Sequence, residues 1–307
     1  MNDYLVLILG VACAAGGGEL FVRGAVGLAG WARISPGIIG ATVAAFATSS
    51  PELSVSISSS LAGKPQIALG DALGSNVVNI ALILAIALII SDIHTPRDNI
   101  KRDYSVALLV PILTALLSID GVLSRIDGIV MLCVFSVWLV STAIEANKQR
   151  NAAEAILGER QMGRIVASCL LGLGLLVAAG NLIVLGAKGI AISFGMEEFV
   201  IGATVVAIGT SAPELATTII AKARGHEEVG LGTVIGSNIF NGLFIVAVAA
   251  IITPIHVDWQ EIAVALTFGF VVLFFVYPSQ KGAIERWRGP ILLVAYGVYV
   301  TIILQSR

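Results

Sequence analysis

Two stretches of this chain set a carboxylate beside a helix-breaking proline inside apolar sequence: ATSSPEL at 47–53 and GTSAPEL at 209–215. Pro51 has no N–H and obstructs the carbonyl of residue 47, so carbonyls around Ala45 to Thr48 can leave the helix ladder and become cation ligands. Glu52 falls about 16 residues, roughly 24 Å at 1.5 Å per residue, into its apolar run. An ionised carboxylate that deep costs at least about 3 kcal/mol and demands a counter-cation. Two further stretches, LGSNVVN and IGSNIFN, place Ser75 with Asn79 and Ser237 with Asn241 at i and i+4, on one helix face in each case. Carboxylates, hydroxyls, amide oxygens and freed carbonyls form an all-oxygen donor set, which suits Ca²⁺ and Na⁺ rather than soft transition metals.

The elements that must hold these groups are membrane helices. The 307 residues are 57% hydrophobic and 12% charged, with a mean hydropathy of +0.95, far outside the soluble range. Breaking the chain at charged and Pro/Gly clusters predicts about ten spans: 4–32, 36–61, 67–91, 103–119, 122–145, 163–193, 198–223, 228–252, 259–277 and 287–305. These leave no room for a soluble domain. A net charge of −2 in such a chain carries no sign of nucleic acid. No Lys or Arg precedes the first apolar run, which therefore reads as a membrane helix rather than a signal peptide. Cys13, Cys133 and Cys169 are isolated in apolar stretches and suit packing.

With the N-terminus outside, the predicted inside loops hold 13 Lys and Arg residues, among them Arg97, Lys101, Arg102, Lys148, Arg150 and Arg224. The outside loops and termini hold 3, namely Lys64, Arg125 and Arg307. This positive-inside bias places both termini outside the cytoplasm of a multi-pass plasma (cytoplasmic) membrane protein. The polar bridge NKQRNAAEAILGERQMG at 146–162 reads as a cytoplasmic connector or short interfacial helix.

Shifting the chain by 162 residues aligns IGATVAAFATSSPEL (39–53) with IGATVVAIGTSAPEL (201–215). The same shift aligns LGDALGSNVVN (69–79) with LGTVIGSNIFN (231–241), and Gly18, Gly24 and Gly27 with Gly180, Gly186 and Gly189. About five spans per copy, an odd number, turn the second copy over in the membrane. The expected fold is an all-α polytopic membrane protein of two inverted five-helix repeats, 1–145 and 163–307, joined by 146–162 in one membrane domain. Secondary transporters with this plan carry their site near the midplane, at the repeat interface, on interrupted helices. A duplication kept only for close helix packing accounts for most of the glycines, but not for best-matched blocks that are polar.

Fixed positive charge inside the spans is sparse. Arg23 and Lys188 lie near helix ends and are expected to snorkel, with Glu19 as a pathway residue or a partner of Arg23. Asn76 and Asn238 are expected to bond between helices, Ser54 to Ser60 to pack, with Ser56 on the face of Glu52, and His94, His226 and His256 to sit in solvated loops.

By the blocks ATSSPEL with LGSNVVN and GTSAPEL with IGSNIFN, the chain resembles the sodium/calcium exchanger family of the cation/calcium antiporter superfamily, of prokaryotic type. The resemblance implies ten membrane helices and a Ca²⁺ site between Glu52 and Glu214, completed by the carbonyls of Thr48 and Thr210. It also implies flanking Na⁺ sites involving Ala45, Ser49, Ser75, Ala207, Ser211 and Ser237, with Asn79 and Asn241 at the centre. Three departures stand out. Many microbial members look like Asp where this chain has Asn241. The family often has Gly-Asn ahead of the second block, where this chain has Gly70-Asp71 and Gly232-Thr233. Potassium-dependent relatives tend towards Asp at the positions of Glu214 and Asn241, so this chain looks potassium-independent.

The expected activity is therefore secondary active antiport of Na⁺ against Ca²⁺ by alternating access, with the ions as transported substrates, no cofactor and no enzymatic step. The long first and sixth spans are the expected moving element. Its expected surroundings are the lipid bilayer, with no nucleic acid and no obligate protein partner. Proton/calcium exchange, with Glu52 and Glu214 protonated in place of Na⁺ binding, is the alternative on the same fold. An organic-anion transporter lacks the intramembrane Arg it would need, and a scaffold or channel would tolerate loss of both glutamates.

Overall fold

The computed structural model describes residues 3–95, 97–152, 162–193, 200, 202–279 and 282–305. Nearly all of them are helical. In chain order the helices are α1 (Asp3–Ala32), α2 (Pro36–Thr48), α3 (Ser50–Leu61), α4 (Pro65–Ile90), α5 (Arg97–Leu117) and α6 (Arg125–Ala152). They continue as α7 (Met162–Ser193), α8 (Gly202–Val206 running into Ala207–Thr210), α9 (Ala212–Ala223), α10 (Glu227–Ile252), α11 (Trp259–Phe275) and α12 (Arg288–Gln305). Among the described residues four unbroken helices, α4, α6, α10 and α12, are long and apolar enough to cross a membrane, and the bent pair α2–α3 makes a fifth. α6 runs on into the polar bridge as far as Ala152. The bridge's Asn, Lys, Gln, Arg and Ala residues include several good helix formers, and Gln149 accepts a hydrogen bond from the Ser35 N–H (2.9 Å). The rest of that bridge, residues 153–161, lies outside the described residues.

The helices sort into a centre and a rim. In their most apolar windows α4 and α10 are 78% buried while α6 and α12 are 22% buried, so the first pair forms the core and the second presents side chains such as Val137, Val140 and Val294 outwards. A helix apolar all round must be buried or face lipid, and both solutions occur here. Around the core, α3 packs on α4 and α9 on α10, while the first turns of α4 rest on the 202–206 segment and those of α10 on the 40–44 segment. The close approaches need glycine. A Cβ at Gly74 would lie 2.6 Å from the Ala203 backbone, and one at Gly236 would collide with the Ala41 carbonyl.

α1 and α7 lie along each other apart from that core, and Gly17, Gly24 and Gly172 let their backbones meet: Gly24 abuts Cys169, and Gly172 abuts Phe21. The surroundings of Gly180, Gly186 and Gly189, aligned from sequence, and the side chain of Lys188 lie outside what the structure describes. Two small antiparallel strand pairs tie the loops, Ile93–His94 with Ala283–Ile284 and Val122–Leu123 with Ile255–His256. His94 and His256 lie on these strands and are exposed.

Candidate cation site

The proline motifs break their helices as the local sequence requires. Ser49 (φ −82°, ψ 9°) and Ser211 (φ −79°, ψ 6°) interrupt the ladder, and α2 meets α3 at 41°. The ladder resumes with the Leu53 N–H to the Ser49 carbonyl (3.1 Å) and the Leu215 N–H to the Ser211 carbonyl (3.0 Å). Within the described residues no backbone hydrogen bond reaches the Thr48 or Thr210 carbonyl across its break. Ser49 stands where a capping side chain belongs, yet it makes no cap hydrogen bond. Its hydroxyl donates instead to Glu214 Oε1 in the other half of the chain (3.1 Å). The Ser211 hydroxyl returns the contact to Glu52 Oε1 (3.4 Å).

Each glutamate is fully buried and has a second oxygen, Oε2, without a hydrogen-bond partner. Such groups are rare in native structures and call for a ligand or a functional reason. Glu214 Oε1 also accepts from Ser237 Oγ (3.0 Å). Ser75, which aligns with Ser237, is turned elsewhere: its hydroxyl lies 3.5 Å from Asp71 Oδ1, from the Ala207 carbonyl and from Thr210 Oγ1. The Thr48 hydroxyl donates back to the preceding turn, where the Ala44 carbonyl lies at 3.0 Å, while Thr210 Oγ1 has the Val206 carbonyl at 3.1 Å and the Asp71 carboxylate nearer, at 2.9 Å, and gives its one proton to the carboxylate. None of the ion pairs among the described residues involves Glu52, Glu214 or Asp71.

Wide π-type turns surround this chamber at Gly40–Ala44, Val78–Leu84, Gly202–Val206 and Phe240–Ile245. Turns of this kind collect at functional sites. Asn79 and Asn241 sit in two of them, so simple i, i+4 spacing from Ser75 and Ser237 does not describe their direction. Asn79 Nδ2 donates to Asn238 Oδ1 (2.9 Å) and leaves its own Oδ1 unpartnered, while Asn241 has neither amide atom partnered. Asn76 and Asn238 bond between helices as expected, each amide nitrogen donating to the other residue's carbonyl (3.2 and 3.1 Å). Ser56 packs on α10 through the Ile245 carbonyl. Glu19 pairs with both Arg23 (2.6 Å) and Arg224, at the surface and away from the chamber.

All twelve residues singled out from sequence therefore gather around the two breaks and the adjoining turns of α4 and α10, in the interior of the bundle. The group the sequence reading left out is Asp71. It is 1% exposed and its Oδ1 accepts from Thr210 Oγ1 (2.9 Å). The signal lay in the aligned dipeptides, Gly70-Asp71 against Gly232-Thr233, where an acid replaces the expected neutral residue. Among the described residues no three His, Cys, Asp or Glu side chains converge on one point, so the three carboxylates do not form a single compact metal centre.

A helical membrane protein whose interior gathers buried carboxylates, hydroxyls and unpartnered amide oxygens, with no basic side chain paired to those carboxylates among the described residues, has the make-up of a cation transporter. The comparisons with known proteins narrow that class. The family model described as sodium/calcium exchanger protein matches residues 3–143 and 165–305, two stretches offset by the same 162 residues as the aligned blocks. A putative antiporter, CaxA of Alkalimonas amylolytica, is 34% identical over 98% of both chains. The sodium/calcium exchanger MaX1 of Methanosarcina acetivorans is 27% identical over 98% of each. The solved structure of the sodium-calcium exchanger NCX_Mj soaked with Na⁺ and Sr²⁺ superposes with a TM-score of 0.82, 32% identity and 97% coverage of both chains. The chain belongs to the sodium/calcium exchanger family, and is a multi-pass membrane antiporter rather than an enzyme.

Proposed function

We propose that the protein exchanges Na⁺ for Ca²⁺ by alternating access at the chamber between Glu52 and Glu214. The observation that carries this reading is the cross-linked pair of buried carboxylates: each takes a hydroxyl from the other half of the chain and each keeps one oxygen unpartnered. Leaving two such charges in low dielectric without a cation is too costly to occlude. Either one Ca²⁺ or a group of Na⁺ ions relieves that cost, and only a relieved chamber crosses between its two exposures. Exchange is obligatory for that reason. In this reading Glu52 and Glu214, with the Thr48 and Thr210 carbonyls, hold Ca²⁺. Ala45, Ser49, Ser75, Ala207, Ser211 and Ser237 serve flanking Na⁺ positions around Asn79 and Asn241.

The scaffold of the proposal is two inverted five-helix repeats, 1–145 and 163–307, giving ten spans with the site at the midplane and both termini outside a cytoplasmic membrane. Its support is the reciprocity of contacts under a shift of 162. The Asn76–Asn238 bonds and the Gly74–Ala203 and Gly236–Ala41 approaches map onto their counterparts, and the two strand pairs do so with a one-residue offset in one strand. α1 and α7, packed on each other beside the core, are the element that slides.

The test is ⁴⁵Ca²⁺ uptake into vesicles containing the purified protein, with a Na⁺ gradient imposed and pH clamped. Uptake that follows the Na⁺ gradient is expected. Uptake that ignores Na⁺ and follows an imposed pH gradient would replace this reading with proton/calcium exchange.

A further inference from the structure

We propose that Asp71 is a third anionic ligand of the chamber and that it serves a monovalent cation, making the Ser75–Ala207–Thr210 side the stronger Na⁺ subsite. This rests on the exchange reading and adds to it a residue and an asymmetry that the aligned motifs do not contain. Four oxygens meet there across the two halves: Asp71 Oδ1, Ser75 Oγ, Thr210 Oγ1 and the Ala207 carbonyl. Their separations are 2.9 Å for Asp71 to Thr210, 3.4 Å for Thr210 to Ala207, and 3.5 Å from Ser75 to each of the other three. A cation bound at about 2.4 Å to each of its oxygens has neighbouring ligands about 3.4 Å apart. Four of these five separations are at that spacing, and the fifth, Asp71 to Thr210, is a hydrogen bond that lengthens by about 0.5 Å when a cation replaces its proton as the shared partner.

The counterpart cluster lacks both the charge and the reach. Thr233 stands at the position of Asp71, and its hydroxyl turns back to the Val229 carbonyl of its own helix (2.8 Å). Ser237 is then left to Glu214 (3.0 Å), whereas Ser75 is drawn away from Glu52 by Asp71. The three carboxylates do not converge on one point, so Asp71 is not a third arm of the Ca²⁺ cage but the lone carboxylate of a separate subsite. One carboxylate with three neutral oxygens balances one positive charge. A chamber of three carboxylates is neutralised by three monovalent cations and is left with a charge of −1 by one divalent cation. Membrane potential therefore acts on the Ca²⁺-loaded transit.

The experiment is Ca²⁺ binding to the purified full-length protein by isothermal calorimetry, at a series of Na⁺ concentrations with ionic strength held constant. In Asp71→Asn the Na⁺ concentration that halves Ca²⁺ binding rises about tenfold, while the Ca²⁺ dissociation constant without Na⁺ moves by less than about threefold. Asp71→Glu keeps the charge and restores most of the competition. Parallel loss of both affinities in Asp71→Asn, or an unchanged Na⁺ dependence, overturns the proposal. Should Asp71→Asn not fold, Ser75→Ala decides, since it removes a neutral oxygen of the same cluster. A raised Na⁺ constant with a nearly unchanged Ca²⁺ constant is then expected, and an unchanged Na⁺ dependence overturns the proposal. Absence of Na⁺ competition in the wild-type protein sinks the exchange reading itself, and this proposal with it. Competition in wild type that Asp71→Asn leaves intact sinks only the role of Asp71.

Discussion

The two halves of the chamber are built from nearly the same words and hold their carboxylates differently. Glu214 Oε1 receives two hydroxyls, from Ser49 and Ser237, while Glu52 Oε1 receives one, from Ser211. Asn79 is anchored on Asn238, but Asn241 has no anchor. The Ser50 hydroxyl covers the Ala47 carbonyl left by Pro51 (2.8 Å), and Ala212 offers no such group in the second half. Asp71 reaches across to Thr210, and Thr233 reaches nowhere beyond its own helix. The shared blocks therefore set where the breaks and glycines fall, and the residues that differ between the blocks give each half its own hydrogen bonds. The recurring blocks place the carboxylates, and the residues that differ decide which hydroxyls each carboxylate receives.

The largest break in that comparison comes from the carboxylates themselves. Glu52→Gln and Glu214→Gln each remove a charge the chamber needs for Ca²⁺, so both are expected to cut Na⁺-driven uptake by about a hundredfold or more, equivalent to roughly 3 kcal/mol. Folding should persist, because glutamine still accepts the serine hydroxyls. Vesicle uptake with size-exclusion profiles checks both halves of the expectation. Survival of flux in either variant would remove that residue from the cage.

Scaffold symmetry is sharpened by Gly74→Ala and Gly236→Ala. Each adds a Cβ against backbone of the opposite half, Ala203 or Ala41, where neither side is a flexible side chain. Overpacking of this kind costs about 1 to 3 kcal/mol. The two variants are expected to lower the thermal midpoint by similar amounts, and a large difference between them would show that the two interfaces are not equivalent.

Ser237→Ala and Ser75→Ala test the divergent layer. A hydrogen bond to a charged group contributes about 1.5 to 3 kcal/mol. Ser237 donates directly to Glu214, so its loss is expected to weaken Ca²⁺ binding by about tenfold. Ser75 sits with Asp71 at the 3.5 Å limit, so its loss falls mainly on Na⁺ competition. Equal effects on Ca²⁺ from the two serines would erase the distinction between the halves.

Much of this could be read from the sequence, and the failures have a common cause. Helix positions followed from hydropathy, because twenty or so apolar residues between charged clusters have few alternatives. That Glu52, Glu214 and Ser237 lie at the two breaks followed from the recurrence of polar blocks, whereas Ser75 turns to Asp71 and Thr210. The missed features are those that depend on tertiary direction. The Ser49 hydroxyl stands at a helix start but goes to Glu214 in the other half, a partner that no local pattern names. Asn79 and Asn241 were placed by a 3.6-residue period that a π-type turn interrupts. Asp71 was visible as a departure from the aligned dipeptide, yet only the packing of α4 against the 202–206 segment brings it to Thr210.

Ser50 offers the finest test, because it is the one hydroxyl that dresses the first break and has no counterpart in the second. Ser50→Ala removes its bond to the Ala47 carbonyl and makes ATSSPEL locally resemble GTSAPEL. Ser50 is half-buried and the bond is a single neutral one, so the expected loss of stability is about 0.5 to 1.5 kcal/mol. Ca²⁺ affinity should stay within about twofold, since the proposed ligands at this break are the Thr48 carbonyl and Glu52 rather than Ala47. A thermal midpoint and a calorimetric titration on the same preparation decide it. A marked gain in Ca²⁺ affinity would mean that the uncovered Ala47 carbonyl enters the chamber, and that the Ser50 bond is what keeps the two breaks chemically distinct.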